Sequence, residues 1–363
     1  MNDAHSADQE FCFSALRGVQ AGKYYFSFIC PLGLISTLFK FTDELTSPSM
    51  RSQRVLNKSR VPKIARYIVE NPSSYVFSSI AASIDDAATR FIPFEGGSGD
   101  LGKLYVKMSS QFLINDGQHR RAAIAKAIEA DPRLKSESIS VVLFLDAGLA
   151  NSQQIFADLN KNAIRPNKSI NVLYDHRDDF SSMVVDIVNQ IPVFKELVDL
   201  ERTQISNRSR KLFTLNSIYD GTRKFLGQKR NVKDFDREES MQLSLKFWSQ
   251  VVRQFPEWEN ALNDKISCKD LRDQTICASG LILAAMGIMG NRLMQESTSW
   301  LEDLENLSEI DWRRSNEDWE GVAIHNGKLS KKVEHVRETA ELIFNSIKAS
   351  EVNPAIKHLE SSA

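Results

Sequence analysis

The chain has 363 residues, 42% apolar and 26% charged, and its 46 Lys and Arg against 47 Asp and Glu give a formal net charge of −1. That is enough for one large domain or two ordinary ones with full apolar cores, and it excludes a disordered or fibrous chain. Near-neutrality also excludes a uniformly basic nucleic-acid coat, but a local basic face needs only a suitable distribution of charge.

The first ten residues, MNDAHSADQE, are polar and acidic and lack a basic region followed by an apolar one, so the expected location is cytoplasmic. The longest nearly apolar run, Ile276 to Met289, is interrupted by Ser279, Gly280 and Gly287 and reads as a buried core helix, so no membrane contact is expected. Cys12, Cys30, Cys268 and Cys277 form no C-x-x-C pair; four free thiols and no metal site are expected.

In chain order, Phe11 to Arg17 and Lys23 to Cys30 flank Gly18 and Gly22 and predict a hairpin, followed by a short helix over Leu32 to Phe41. Val61, Ile64, Ala65 and Ile68 recur at helical spacing, with Pro62 in the first turn and Asn71-Pro72 as the stop. Arg90 to Phe94 and Lys103 to Met108 predict a second hairpin, whose turn from Glu95 to Gly102 holds four glycines and reads as a mobile flap. Phe112 to Ile114 predicts a short strand, Asn115-Asp116-Gly117 a turn and Gln118 to Ala130 a helix. Ser140 to Leu145 is another buried strand, and Gln153 to Asn160 a helix before an irregular basic loop from Lys161 to Ser169. Beyond about Asp175 the pattern is helical, with candidates at Phe180 to Asn189, Lys211 to Leu226, Ser240 to Gln254, Asp270 to Arg292 and Lys331 to Ile347. The expected fold class is α+β: a mixed α/β domain over residues 1–174, then a helical domain over 175–363 with a basic segment at 202–230.

The segment most suited to chemistry is the turn Asp116-Gly117 that opens a helix with Gln118, His119, Arg120 and Arg121. Asp116 suits an N-cap, Gly117 permits close ligand approach, and a helix start with two arginines favours phosphate. A capped helix with solvated arginines explains the same residues.

The run "NDGQHRRAAI" resembles the signature of the DGQHR-domain family, whose fold is ParB/sulfiredoxin-like. The resemblance implies phosphate or nucleotide contact for Asp116, Gly117, Gln118, His119, Arg120 and Arg121. Sulfiredoxin-like proteins carry a reactive cysteine where this chain has Gln118, so thiol-reductase chemistry is not expected. The stretches Arg17 to Ile35, Arg54 to Pro72, Phe156 to Ser169, Leu173 to Asp178 and Ser206 to Leu215 are similar to the DndB family of DNA sulfur modification proteins. That similarity implies a DNA-binding regulator, a transcriptional repressor, of a bacterial DNA phosphorothioate modification gene cluster. The partners it implies are double-stranded promoter DNA and other DNA sulfur modification proteins. Two-fold operators add the expectation of a homodimer.

Two segments concentrate positive charge. Arg51, Arg54, Lys58, Arg60, Lys63 and Arg66 occur with no acid among them, and 202–230 holds Arg202, Arg208, Arg210, Lys211, Arg223, Lys224, Lys229 and Arg230 against Asp220 alone. Ser206 to Lys211 reads as a basic helix start able to hold phosphates, and Lys161, Arg165 and Lys168 as an extension of the same face. A solvated face is the plain alternative. Six phosphate contacts would give a slope of log affinity against log salt near −5.

Asp175-His176-Arg177-Asp178 reads as a cap and ion-pair cluster rather than a metal or general-base site, and Trp300, Trp312 and Trp319 as core anchors. No Walker A, Rossmann, nucleophile-elbow or H-E-x-x-H motif occurs, so no catalytic residue is assigned. The rival to a DNA-binding regulator is a nucleotide-dependent switch, NTPase or nickase, with a nucleoside triphosphate and Mg at the Asp116 to Arg121 turn.

Overall fold

The computed structural model describes residues 9–39, 56–110, 112–145, 154–159, 167–227 and 235–352. The chain divides into two compact units, Met1–Ile164 and Arg165–Ala363, so the first helix after the division belongs to the second unit. The architecture is α+β.

The first unit is a seven-stranded mixed sheet with helices packed on it. β1 (Glu10–Gln20) and β2 (Lys23–Pro31) form the predicted hairpin, joined by Ala21 and Gly22 at φ +50° and +76°. Two successive positive-φ residues match the twist of paired strands, and Gly22 adopts that backbone without steric cost. Phe13 and Ala15 on β1 and Phe26, Phe28 and Cys30 on β2 are buried at alternating positions, as one inward face requires. α1 (Leu32–Leu38) and α2 (Val61–Glu70) follow, then β3 (Ile80–Ile84), β4 (Thr89–Pro93), β5 (Leu101–Lys107), β6 (Leu113–Asp116), α3 (Gln118–Ala130) and β7 (Ser138–Leu145). The sheet order is β4-β5-β1-β2-β7-β3-β6, with β3 and β7 the parallel pair. Ile35 and Leu38 of α1, Ala65 and Ile68 of α2, and Ala123, Ile124 and Ala127 of α3 close the core over the sheet.

The glycine-rich turn between β4 and β5, expected to be a mobile flap, is tethered to β1. Arg17 donates to Gly99 O at 3.1 Å and its backbone N–H to Asp100 O at 2.7 Å. The same guanidinium lies 4.9 Å from the Tyr24 ring centre and 5.2 Å from that of Phe91, so cation–π contact adds to the tether.

The second unit is helical apart from two two-residue ladders. Its elements begin with α4 (Lys168–Tyr174), α5 (Asp179–Gln190), α6 (Pro192–Leu197), β8 (Val198–Asp199), β9 (Phe213–Thr214) and α7 (Leu215–Phe225). They continue with α8 (Arg237–Arg253), α9 (Pro256–Leu262), α10 (Cys268–Gln274), α11 (Gly280–Glu296), α12 (Trp300–Asp303), β10 (Ile324–His325), β11 (Lys328–Leu329) and α13 (Val333–Val352). The single helix expected over Asp270 to Arg292 is instead two, α10 and α11. Thr275 is extended and bridges to Arg313, and Ser279 restarts the helix by accepting from Ile282 N at 3.3 Å. The apolar run expected to be buried is buried, with Leu281, Ile282, Leu283, Ala285 and Met286 almost fully enclosed. Trp312 and Trp319 stack 5.4 Å apart in this core, each indole N–H satisfied by a backbone carbonyl. No helix among the described residues is long and apolar enough to cross a membrane.

α7 and α11 cross at glycines. A Cβ on Gly287 would lie 2.1 Å from Gly221 O, and one on Gly290 would lie 2.4 Å from the Phe247 ring. Gly287→Ala should therefore force the helices apart and destabilise the helical unit by about 1–3 kcal/mol. Urea denaturation followed by Trp fluorescence measures this, and an unchanged midpoint would contradict the crossing.

Candidate functional site

The predicted strand, turn and helix around Asp116 are present, but the turn's side chains are used differently from what the sequence suggests. β6 is an edge strand paired with β3, and the buried Asn115 accepts a hydrogen bond from Ser83 Oγ at 2.7 Å. The pairing shifts register between Ala81 and Ala82, so that Asn115 is passed over between Ile114 and Asp116. Gly117 then takes φ +106° and occupies the N-cap of α3. A Cβ there would be strained and would stand 3.1 Å from Ile80 and 3.2 Å from the Arg120 guanidinium, so glycine is required.

Asp116 was expected to cap α3, but Gly117 holds that position and no side chain caps the helix. Asp116 instead accepts from Arg120 Nη2 at 2.7 Å. Arg120 also donates to Ser79 O at 3.1 Å and to Ser78 Oγ, and its Nε is buried without a hydrogen-bond partner. Arg121 turns toward the end of α1, donating from Nε to Phe39 O at 2.8 Å and from Nη2 to Ser36 O at 3.4 Å. Burial disfavours its charged form. Both guanidiniums expected to face phosphate therefore bind the protein itself. A triphosphate at this turn fits poorly, since it would find helix-start N–H groups but neither arginine fork.

His119 joins the turn to the basic segment. Its Nε2 accepts from the Asn57 backbone N–H at 3.0 Å, which fixes a neutral ring protonated on Nδ1. Burial and then the nearby Arg60 hold its pKa below the ordinary value, against an opposing pull from Asp116. Gln118 is half-buried at the first position of α3.

Lys58, Arg60, Lys63 and Arg66 are exposed on and just before α2, while Ala65 and Ile68 face the core. Arg66 lies 4.0 Å from Glu70. Arg60 is the N-cap residue, and its helix also lacks a side-chain cap. Two uncapped helix starts with their N–H donors thus lie side by side, linked through Asn57 and His119. Arg51, Arg54, Lys161 and Arg165 lie outside the described residues.

In the second unit, Lys168 is exposed at the start of α4. Ser206 to Lys211 is a loop, not the expected helix start. α7 begins at Leu215, where Thr214 and Ser217 cap one another reciprocally in a buried position and Asn216 N donates to Ser169 Oγ at 3.3 Å. The loop is held by a residue the sequence did not point to. Arg272 of α10 donates to the carbonyls of Ser206 at 3.2 Å, Asn207 at 3.1 Å and Ser209 at 3.2 Å, and also to that of Lys211. Arg210 pairs with Asp264, and Lys211 Nζ donates to Glu196 O. Arg208 is exposed on this loop. Further along, Arg223 pairs with Asp220 at 3.2 Å and burial disfavours the Lys224 charge, while Lys229 and Arg230 lie outside the described residues. Asp178 caps α5 by accepting from Ser181, as a capping cluster would.

Two outcomes are expected from this geometry. By NMR, His119 should titrate below about 6.5, the ordinary value it regains on unfolding. Its contribution to stability is then complete above about pH 6.5 and is lost as pH falls from there toward the lower folded value, because the unfolded chain binds the extra proton. A folded value at or above 6.5 would refute this. Arg272→Ala should leave the 206–211 carbonyls without their shared donor and raise amide exchange across that loop; unchanged protection would refute it.

A family model described as DndB, DNA-sulfur modification-associated, matches residues 13–350. No curated protein and no solved structure matches the chain. The family match spans most of both compact units, and the chain belongs to the DndB family of DNA-sulfur modification-associated proteins.

Proposed function

We propose that this protein is a DNA-binding regulator, acting as a transcriptional repressor of a DNA phosphorothioate modification gene cluster. The observation that carries the reading is the pair of uncapped helix starts joined by Asn57 and His119, with Lys58, Arg60 and Lys63 exposed beside them. Helix-start N–H groups and surface cations are the ordinary means of holding a duplex backbone, and they fix position without reading sequence. In the second unit, Arg208 sits on a loop whose backbone is braced by Arg272, and it supplies a separate phosphate contact. Family membership gives the setting, DNA sulfur modification. A homodimer on a two-fold operator, and contacts with other proteins of the cluster, belong to the same reading.

The rival, a nucleotide-dependent switch, NTPase or nickase at Asp116 to Arg121, is weakened because Arg120 and Arg121 point into the protein. Calorimetry with ATP, CTP and GTP, with and without Mg, separates the two. Binding of any of them, abolished by Gly117→Ala, would favour the rival.

The direct test is fluorescence anisotropy of the full chain with a duplex from the cluster's own promoter, across a salt series. Arg60→Ala with Lys63→Ala should weaken binding and flatten the slope of log affinity against log salt by roughly 2, and Arg208→Ala by about 1. Wild-type affinity and slope in both variants would reject the surface assigned here.

A further inference from the structure

The C-terminal unit carries a cluster that the DNA-binding reading does not use. His325 lies on β10, and His335 and Glu338 lie three residues apart on one face of α13. One ligand atom from each lies within 4.8 Å of the others. β10 and β11 are joined by Asn326 and Gly327 at φ +53° and +72°, a tight hairpin turn that holds His325 over the helix start. Ser330 N donates to Ala323 O at 3.0 Å and closes the hairpin base. The two imidazoles are stacked, 3.6 Å between centres and 17° between planes.

We propose that His325, His335 and Glu338 form a site for a divalent transition metal of the zinc, cobalt and nickel class. The second shell supports it. His325 Nε2 lies 3.1 Å from Val322 O, and His335 Nδ1 lies 2.6 Å from Ser330 Oγ. Val322 O can only accept, so His325 Nδ1 keeps its lone pair; with Ser330 Oγ accepting from His335 Nδ1, His335 Nε2 keeps one as well. Metal-binding histidines are commonly oriented in this way. Glu334 Oε1 stands 3.9 Å from His335 Nε2, and with Glu338 it offsets the positive end of α13, which would otherwise disfavour a cation. Imidazole and carboxylate donors select this class over magnesium or calcium, and three protein ligands leave a fourth position for water. Ligands about 2.0–2.1 Å from one ion stand roughly 3.4 Å apart, so closing the site takes a movement of the exposed Glu338 and a fanning apart of the two rings, whose near-parallel planes do not aim both lone pairs at one point. The bound ion would clamp the β10–β11 hairpin to α13.

The test uses tag-free full-length chain stripped with a chelator and titrated calorimetrically with Zn²⁺, with Co²⁺ absorption as a second readout. One Zn²⁺ per chain is expected, with a rise in melting temperature. Glu338→Gln, at an exposed position that leaves the fold intact, should weaken binding roughly tenfold or more. His325→Gln with His335→Gln should abolish both the binding and the visible Co²⁺ bands, while Cys12→Ser, altering the exposed thiol, should change neither. No Zn²⁺ uptake by the wild type, or uptake that survives in the histidine double variant, would overturn the proposal.

Discussion

The N-terminal unit turns on one ion pair, Asp116 with Arg120, closed over a left-handed glycine. The pair fixes the angle at which α3 leaves the sheet edge, because Arg120 also reaches back to Ser78 and Ser79 just ahead of β3. With that angle set, Arg121 falls against the end of α1 and His119 against the start of α2. A surface carboxylate–guanidinium pair contributes little alone. This one has a guanidinium largely shielded from water and shared among three partners, so its removal would strand a buried charge and loosen two other helices.

The second unit uses the same device. Arg272 collects carbonyls from one loop, and Arg314 in turn donates to the carbonyls of Arg272 at 3.2 Å and Thr275 at 3.3 Å. In a chain with balanced charges, several cations that look available in the sequence are thus committed to internal carbonyls. Lys58, Arg60 and Lys63 in one unit and Arg208 in the other are among the cations whose side chains are exposed.

Much of the fold is legible in the sequence because it is locally determined. Gly22 marks the first hairpin, and Val61, Ile64, Ala65 and Ile68 mark α2 by period alone. The strand–turn–helix at Asp116 is legible for the same reason. What escapes is set by distant partners. The direction of Arg121 depends on Phe39, that of Arg120 on Ser78, and the helix break at Thr275 on a bridge to Arg313. The start of α7 escapes differently: Thr214 and Ser217 form a recognisable cap, but the basic run before it draws the reading four residues too early. His335 and Glu338 have a helical ligand spacing, yet nothing in the sequence brings His325 to them.

The strand order of the first unit also bears on how this protein behaves in concentrated solution. One border of the sheet is β4, which presents an exposed Arg90 and ends in Pro93, a residue with no amide hydrogen to offer a neighbour. The opposite border, β6, is only four residues long and finishes in a charged side chain. Neither rim is a good template for lengthening the sheet with a foreign strand. The margins of this unit thus carry features that discourage edge-to-edge pairing, in a chain so close to electrical neutrality that it has little general repulsion to rely on.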